Sequence, residues 1–166
     1  AAGLALGAAG AAMAAGHVSA QSATPTTGAS TVQTEMLTAD GALKVVQAAW
    51  AKAREIGVPE VIAVVDTAGV LKAFIRMDGA YNASIDIAMD KAYTSASFHA
   101  PTADFGKAVS ADASVMASIL KAPHVNLLPG GLPLMSGKTL VGAIGCSGGS
   151  GDQDVQCAQA GVAALM

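Results

Sequence analysis

The sequence has little charge and very few aromatic residues. Charged residues make up 13% of the 166 positions and aromatic residues 4%, and the net charge is -3. A protein that binds nucleic acid needs a basic patch for the phosphates, so this balance argues against a nucleic-acid partner. Hydrophobic residues nevertheless reach 52%. The core must be built mainly from alanine, glycine and valine, which requires its layers to pack closely.

The chain also lacks a long leucine-rich run. Its first twenty residues, AAGLALGAAGAAMAAGHVSA, are uncharged but rich in alanine, and a membrane span needs roughly 20 strongly apolar residues. The segment ends in small residues of the kind that precede a signal-peptidase site. We interpret residues 1–20 as the remnant of a secretory signal, which predicts a periplasmic or secreted protein without a membrane span; a membrane anchor is the alternative. The polar residues 21–34 are predicted to be a linker, and residues 35–166 the folded domain.

Cysteine is scarce as well, with Cys146 and Cys157 as the two examples. In an oxidising compartment they could form a disulfide. However, Cys146 is predicted to end a strand and Cys157 lies in a helical pattern, so the geometry opposes a bond. The sequence favours two buried thiols, with the disulfide as the alternative.

The sequence does contain a regular succession of helix and strand patterns. Because the strands come as two hairpins rather than as βαβ units, an antiparallel sheet with packed helices is expected, which is an α+β domain. The order is α-ββ-ααα-ββ-α. The predicted elements are a helix after Thr38 that stops at Gly57, a hairpin that turns at 66–69, a helix over 82–99, short helices near 103–109 and 111–121, strands over 132–136 and 139–146, and a helix over 152–165.

Glycines are concentrated near the second hairpin. Gly142 and Gly145 fall inside a predicted strand, where glycine usually marks a bulge or a close approach of another backbone. Gly148 and Gly149 lie between that strand and the last helix. A tight strand-to-helix bend explains this pair best, and an anion bound at the helix N-terminus is the alternative.

Two cations lie on faces that also carry phenylalanine. Arg76 shares one face of its strand with Phe74, and the seven-residue spacing of Ser84, Lys91 and Phe98 aligns these three along the next helix. The connection between strand and helix is short, so both cations are predicted to converge on one pocket. With Ser84 and Thr102 as hydroxyl donors, such a pocket suits a small anionic ligand. Salt bridges from the cations are the alternative, with Asp66, Asp78 or Asp90.

Several motifs resemble those of one known family. The segments VVDTAGVLKAFIRMDGA, KAYTSASF ahead of PT, PGGLPL, LVGAIGCSGG and CAQAG are similar, in order and spacing, to the GlcG/HbpS family of haem-binding proteins, to which the C-terminal domain of PduO is related. The resemblance covers the chain from about Met36 onward. It implies a profilin-like sheet of about four to five strands, homo-oligomers built from dimers, and haem or iron binding. In some members it also implies secretion, haem degradation or redox sensing.

Haem needs an axial ligand, an apolar surface and cations for its propionates. His99, at the end of the long helix, is the candidate axial ligand, although an imidazole in this position is also stabilised by the helix dipole alone. Arg76 and Lys91 are the candidate propionate partners. Asp86 and Asp90 lie one helical turn apart and are weaker candidates for an iron site.

Two other functions stay open from the sequence. The polar set Arg76, Asp78, Ser84, Lys91 and Thr102 could serve a cofactor-free isomerase, lyase or hydrolase of small acids, with Lys91 or Asp78 as the acid or base. The chain has no Ser-His-Asp pattern, HExxH or CxxC motif that would name a reaction. A protein that only assembles into rings is the third alternative.

Overall fold

The predicted order of elements is confirmed in the computed structural model, which describes residues 30–165. The predicted signal segment, 1–20, lies outside the described residues. Within the described part the elements are α1 (Ala39–Glu55), β1 (Val61–Asp66), β2 (Leu71–Arg76), α2 (Ala83–Phe98), α3 (Thr102–Ser110), α4 (Ala113–Ile119), β3 (Gly131–Ser136), β4 (Thr139–Ser147) and α5 (Gly151–Ala163).

The four strands form one antiparallel sheet in the order β2-β1-β4-β3. β1 and β4 therefore occupy the centre, and the first hairpin supplies one edge of the sheet while the second supplies the other. This arrangement is the α+β class expected from the two hairpins, with the strand number at the lower end of the expected range.

Local signals in the sequence set the ends of these elements. The Thr38 hydroxyl caps α1 by accepting a hydrogen bond from the Gly41 N–H at 3.0 Å, and Gly57 follows the helix with a φ of +69°. At the first hairpin, Asp66 Oδ1 accepts from the N–H groups of Ala68 and Val70 at 2.9 and 3.0 Å. Short polar side chains of this kind satisfy backbone donors that the helix or turn leaves free.

Each face of the sheet carries its own hydrophobic layer. Helices α1 and α5 cover one face, where Val45 and Cys157 are buried with Ile62 and Ile144. Helix α2 covers the other face with alanine, namely Ala88, Ala92 and Ala96 against Val61, Ala63, Val65 and Ala143. The small side chains bring α2 close to the sheet, as the composition predicted.

The closest approach between α2 and the sheet is at Gly145 in β4. A Cβ atom placed there would lie 2.0 Å from the backbone oxygen of Ala88 and 2.6 Å from the backbone nitrogen of Ala92. Glycine is therefore required at this position because the helix backbone occupies the space of a side chain.

Both cysteines are buried free thiols, as the sequence favoured. Among the described residues, none of the helices combines the length and apolar character that crossing a bilayer requires.

Candidate small-ligand pocket

A lysine is buried between α2, β4 and α5. Lys91 is only 1% exposed, and its Nζ donates to Asp154 Oδ2 at 2.5 Å and to the carbonyl oxygen of Cys146 at 2.9 Å. A buried ammonium is very costly unless it is paired and hydrogen-bonded, and both conditions are met here. The salt-bridge partner of Lys91 is therefore Asp154. The three partners considered from the sequence were Asp66, Asp78 and Asp90.

Asp154 lies in the first turn of α5 and is 3% exposed. Its second oxygen, Oδ1, accepts from the Gly149 N–H at 3.0 Å. Ser150 caps the same helix and forms a reciprocal capping box with Gln153. The strand-to-helix bend therefore holds the Asp154 carboxylate in a fixed position, with both of its oxygens used.

A second carboxyl group, that of Glu60, is buried beside this ion pair. Glu60 directly precedes β1 and is fully buried, and neither of its oxygens has a hydrogen-bond donor among the described residues. Burial, reinforced by the neighbouring Asp154 carboxylate, raises the pKa of Glu60 to about 8. At neutral pH Glu60 is thus mainly protonated, so the cluster of Lys91, Asp154 and Glu60 holds one cation and one anion.

This elevated pKa predicts a stability that falls as the pH rises. Between its ordinary pKa of 4.5 and about 8, Glu60 is protonated in the folded chain and ionised in the unfolded chain. Folding therefore takes up a proton in this window. The stabilisation is complete below pH 4.5 and is lost as the pH rises towards 8, by at most about 1.4 kcal/mol per pH unit.

The measurement is urea unfolding of the wild type and of Glu60→Gln at pH 5, 6.5 and 8. The amide stays neutral, so we expect the variant to lose this pH dependence and to be the more stable protein at pH 8. Parallel pH profiles for the two proteins would contradict the assignment.

The two thiols next to the cluster are unreactive. Burial, together with the neighbouring Glu60, raises the pKa of Cys157 to about 12 and that of Cys146 well above its ordinary value. Since the thiolate is the nucleophilic form, neither cysteine supplies a nucleophile or a metal ligand in this state.

The Lys91–Asp154 ion pair lies at the wall of a pocket of about 280 Å³. Helix α2 contributes Ser84, Ile87 and Lys91, which lie along one stripe as the helical spacing predicted. The other lining residues come from the connection before α2, the loop before β3 and the β4–α5 bend: Tyr81, Leu128, Pro129, Ser147, Gly148, Gly149, Gly151 and Asp154.

The remaining residues of the predicted site lie outside this lining. Arg76 and Asp78 are exposed, and Arg76 Nη1 donates to Asn82 Oδ1 at 2.8 Å instead of forming a salt bridge. Thr102 is buried; its hydroxyl donates to the Leu128 carbonyl at 2.7 Å and accepts from the Gly131 N–H at 3.0 Å. Thr102 thus fixes the loop that forms a pocket wall.

The predicted haem-ligand residue lies on the surface near the end of α2. His99 follows the last residue of the helix with a φ of +55° and is exposed. Phe98, which is 38% exposed, stacks on Phe105 of α3 with ring centroids 3.9 Å apart. An exposed imidazole therefore directly follows an exposed phenylalanine, which stacks on the half-buried Phe105.

The two acidic residues of α2 differ in exposure and in partner. Asp86 is exposed, and Asp90 Oδ1 lies 3.2 Å from Nδ1 of His124 in the loop before β3. Within residues 30–165 no group of three or more His, Cys, Asp or Glu side chains is arranged to hold a metal ion.

A larger, more open apolar groove lies between α3, α4 and the segment 127–129. Its volume is about 630 Å³, and its lining includes Lys107, Met116, Leu127 and Pro129. Pro129 also lines the smaller pocket. The segment 127–129 therefore separates the two cavities.

Sequence reasoning did not find several residues of the smaller pocket and its cluster, among them Glu60, Ser147 and Asp154. Asp154 has the pattern of an ordinary acidic residue in a first helical turn, and Glu60 that of a polar residue before a strand. The available signal was Lys91, whose neighbours one helical turn away include Ile87, Ala88 and Ser95. A lysine on such a stripe needs a buried carboxylate if it faces the core.

Residues 37–163 match the family described as "Haem degrading protein HbpS-like". The chain belongs to this HbpS-like family. A 15.0 kDa protein from the dhaT-dhaS intergenic region of Citrobacter freundii is 37% identical over 123 residues, which cover 74% of this chain and 87% of that protein. The corrinoid adenosyltransferase PduO of Salmonella typhimurium is 32% identical over 121 residues, 72% of this chain, but the matched part is only 36% of PduO.

Several solved structures share the fold of this chain. A double mutant of Streptomyces reticuli HbpS superimposes with a TM-score of 0.75 and 36% identity, covering 89% of this chain and 99% of HbpS. Klebsiella pneumoniae ORFY gives a TM-score of 0.78 and 31% identity, covering 82% of this chain and 95% of ORFY. A structure described as a PduOC:heme complex gives 0.72 and 30%, covering 78% of this chain and 95% of PduOC.

Proposed function

We propose that this protein binds haem. The main support for this proposal is the family match, because residues 37–163 match a family described as haem-degrading. The similarity to the PduOC domain, whose structure is described as a haem complex, supports the same ligand. Haem, when bound, supplies redox and oxygen chemistry, and the protein supplies the ligand and the surroundings of the iron.

The described residues fit haem best around His99. Its exposed imidazole is an axial-ligand type, and Phe98, which directly precedes it and is 38% exposed, offers apolar surface. Lys91 is buried in its ion pair with Asp154 and is not free to meet a propionate. Arg76 is exposed, but it bonds Asn82 at the start of α2 while His99 follows the end of that helix. The two are about 25 Å apart by the rise of the helix, too far to hold one haem within a single subunit. The open apolar surface suits a ligand that a second subunit covers.

Haemin titration tests the proposal. We expect a saturable Soret shift in the wild type and a weaker or altered one in His99→Ala, because the iron loses an axial ligand. His124→Ala is the matched control, since His124 is also an exposed histidine with positive φ. A flat wild-type titration would remove haem as the ligand, and an effect confined to His124→Ala would move the axial ligand there.

We also propose that the protein is exported and serves haem storage, sensing or degradation outside the cytoplasm. The support for export is the alanine-rich, uncharged segment 1–20, whose end resembles a processing site. Cell fractionation of the full-length protein measures this directly: recovery in the periplasm or medium is expected, and a cytoplasmic location would contradict it.

Assembly into homo-oligomers built from dimers is part of the same proposal. β2 is an edge strand, and the apolar side chains of Val70, Leu71 and Phe74 at this edge are exposed by 60%, 43% and 38%. An exposed apolar edge strand is a natural pairing surface. Light scattering at micromolar concentration is expected to give an even-numbered assembly, and a monomer would contradict the proposal.

A further inference from the structure

Another cavity, of about 250 Å³, lies between α2, the β1–β2 turn and the loop before β3. Its lining consists of Val65, Gly69, Leu71, Met89, Asp90, Tyr93 and His124. None of these lining residues is a lysine or an arginine, whereas Asp90 supplies a carboxylate. The cavity therefore combines apolar and aromatic walls with an acidic group, and it shares no residue with the 280 Å³ pocket.

The aromatic wall of this cavity is fixed by the fold. Gly69, in the β1–β2 turn, has a φ of +77°, and a Cβ atom placed there would lie 2.5 Å from Cδ2 of Tyr93. The phenol ring thus occupies the space that a side chain at position 69 would fill. His124 meets this ring edge to face, with the centroids 5.8 Å apart. Both rings of the lining are therefore in place without a ligand.

The carboxylate of the cavity has hydrogen-bonding capacity left, and that capacity is acceptance. Nδ1 of His124 lies 3.2 Å from Asp90 Oδ1 and donates to it, while Oδ2 has no donor among the described residues. Nε2 of the neutral imidazole is an acceptor too. The Asp90 side chain is 28% exposed, so a partner can reach it. A molecule in this cavity therefore has to bring donors, and a positively charged donor makes the stronger bond to a carboxylate.

An organic cation suits this place better than a metal ion. One imidazole and one carboxylate give two metal ligands, and within residues 30–165 no third His, Cys, Asp or Glu side chain is arranged with them. Val65, Leu71 and Met89 make the rest of the lining apolar. An ammonium group bonds a carboxylate and is also attracted by an aromatic ring such as that of Tyr93.

We infer that this cavity binds a small primary amine with an apolar chain of about three to six carbon atoms. Its ammonium group donates to Asp90 Oδ2 beside the ring of Tyr93. Its carbon chain lies against Val65, Leu71 and Met89. A volume of 250 Å³ is below the roughly 300–1,000 Å³ of pockets for drug-sized ligands, which sets the short chain.

The test is calorimetric titration of the full chain with isoamylamine and with isoamyl alcohol. The two molecules have nearly the same shape, but only the amine is a cation at neutral pH. We expect saturable binding of isoamylamine at millimolar concentration or better, and binding of the alcohol that is at least tenfold weaker. Since Leu71 also belongs to the β2 edge proposed for subunit pairing, the protein is titrated in the assembly that it forms.

Asp90→Asn should weaken isoamylamine binding at least tenfold, the value of one hydrogen bond to a charged group. Asp86→Asn is the matched control, because it removes the same charge one helical turn earlier on α2, from an exposed residue outside the lining. It should bind isoamylamine as the wild type does. The Asp90–His124 pair is largely exposed, so both variants should keep a melting temperature close to that of the wild type.

Absence of isoamylamine binding or equal binding of the alcohol would overturn the inference. Equal weakening by Asp86→Asn and Asp90→Asn would overturn it as well, because it would show a general attraction to the acidic surface of α2. The cavity contains neither His99 nor the phenylalanines beside it, and the titration uses haem-free protein. The amine result therefore stands whether or not the Soret titration succeeds.

Discussion

Lys91→Met is expected to destabilise the protein by about 3–5 kcal/mol. Methionine retains most of the side-chain volume but removes the cation, which leaves the Asp154 carboxylate buried at 3% exposure without its partner. Breaking a buried ion pair from one side is costly because the remaining charge is uncompensated. The Cys146 carbonyl also loses its donor. Urea unfolding at pH 7 measures the change in the free energy of unfolding.

Lys52→Met is the matched control for this experiment. Lys52 forms an ion pair with Glu55 at 2.8 Å on the surface of α1, with side-chain exposures of 30% and 68%. Such exposed pairs contribute at most about 1 kcal/mol. If both methionine variants unfold at the same urea concentration, the buried pair does not have the assigned role.

Gly145→Ala is expected to cost about 3 kcal/mol or more. The added methyl group would lie 2.0 Å from the Ala88 carbonyl oxygen of α2, and this neighbour is backbone, which cannot rotate away. Helix α2 would have to move off the sheet along the layer that Ala88, Ala92 and Ala96 build. Overpacking of a rigid core typically costs 1–3 kcal/mol and occasionally more.

Gly41→Ala serves as the comparison for the same chemical change. Gly41 lies in α1, and its added Cβ would meet only side-chain atoms, at 3.2 Å or more. The helix propensity of alanine offsets this contact, so a change near zero is expected. Thermal and urea unfolding of both variants give the comparison, and a tolerated Gly145→Ala would show that α2 is less firmly packed than described.

The fold was predictable because its signals are local. The Asp66 turn, the Gly57 stop and the two hairpins each follow from neighbouring residues, and the family resemblance added the profilin-like architecture. The glycine inside β4 also predicted a close approach. Its partner, the α2 backbone, could be seen only once the helix was placed on the sheet.

The site was predictable only in the part that lies on one helix. Ser84 and Lys91 share a stripe of α2, and helical spacing was enough to align them. Asp154, which neutralises Lys91, lies 63 residues further along the chain, and no local pattern joins the two. The sequence therefore assigned the charge of Lys91 to a ligand, whereas the folded chain uses it first for Asp154.

The prediction that Arg76 meets Lys91 was wrong for a different reason, which is the length of the arginine side chain. Its strand position and the short connection to α2 suggested that it meets Lys91, but the guanidinium turns to Asn82 in that connection. A side chain this long has several partners within reach, and a strand pattern does not select among them.

The segment 127–129 has a consequence for how the two cavities behave together. Pro129 lines both the α3–α4 groove and the 280 Å³ pocket, and the Thr102 hydroxyl holds the neighbouring Leu128 carbonyl. A molecule that displaces this shared partition from one side changes the free volume on the other. Occupancy of the two cavities is then linked, and the coupling is reciprocal: whatever factor one occupant imposes on the affinity of the second, the second imposes on the first.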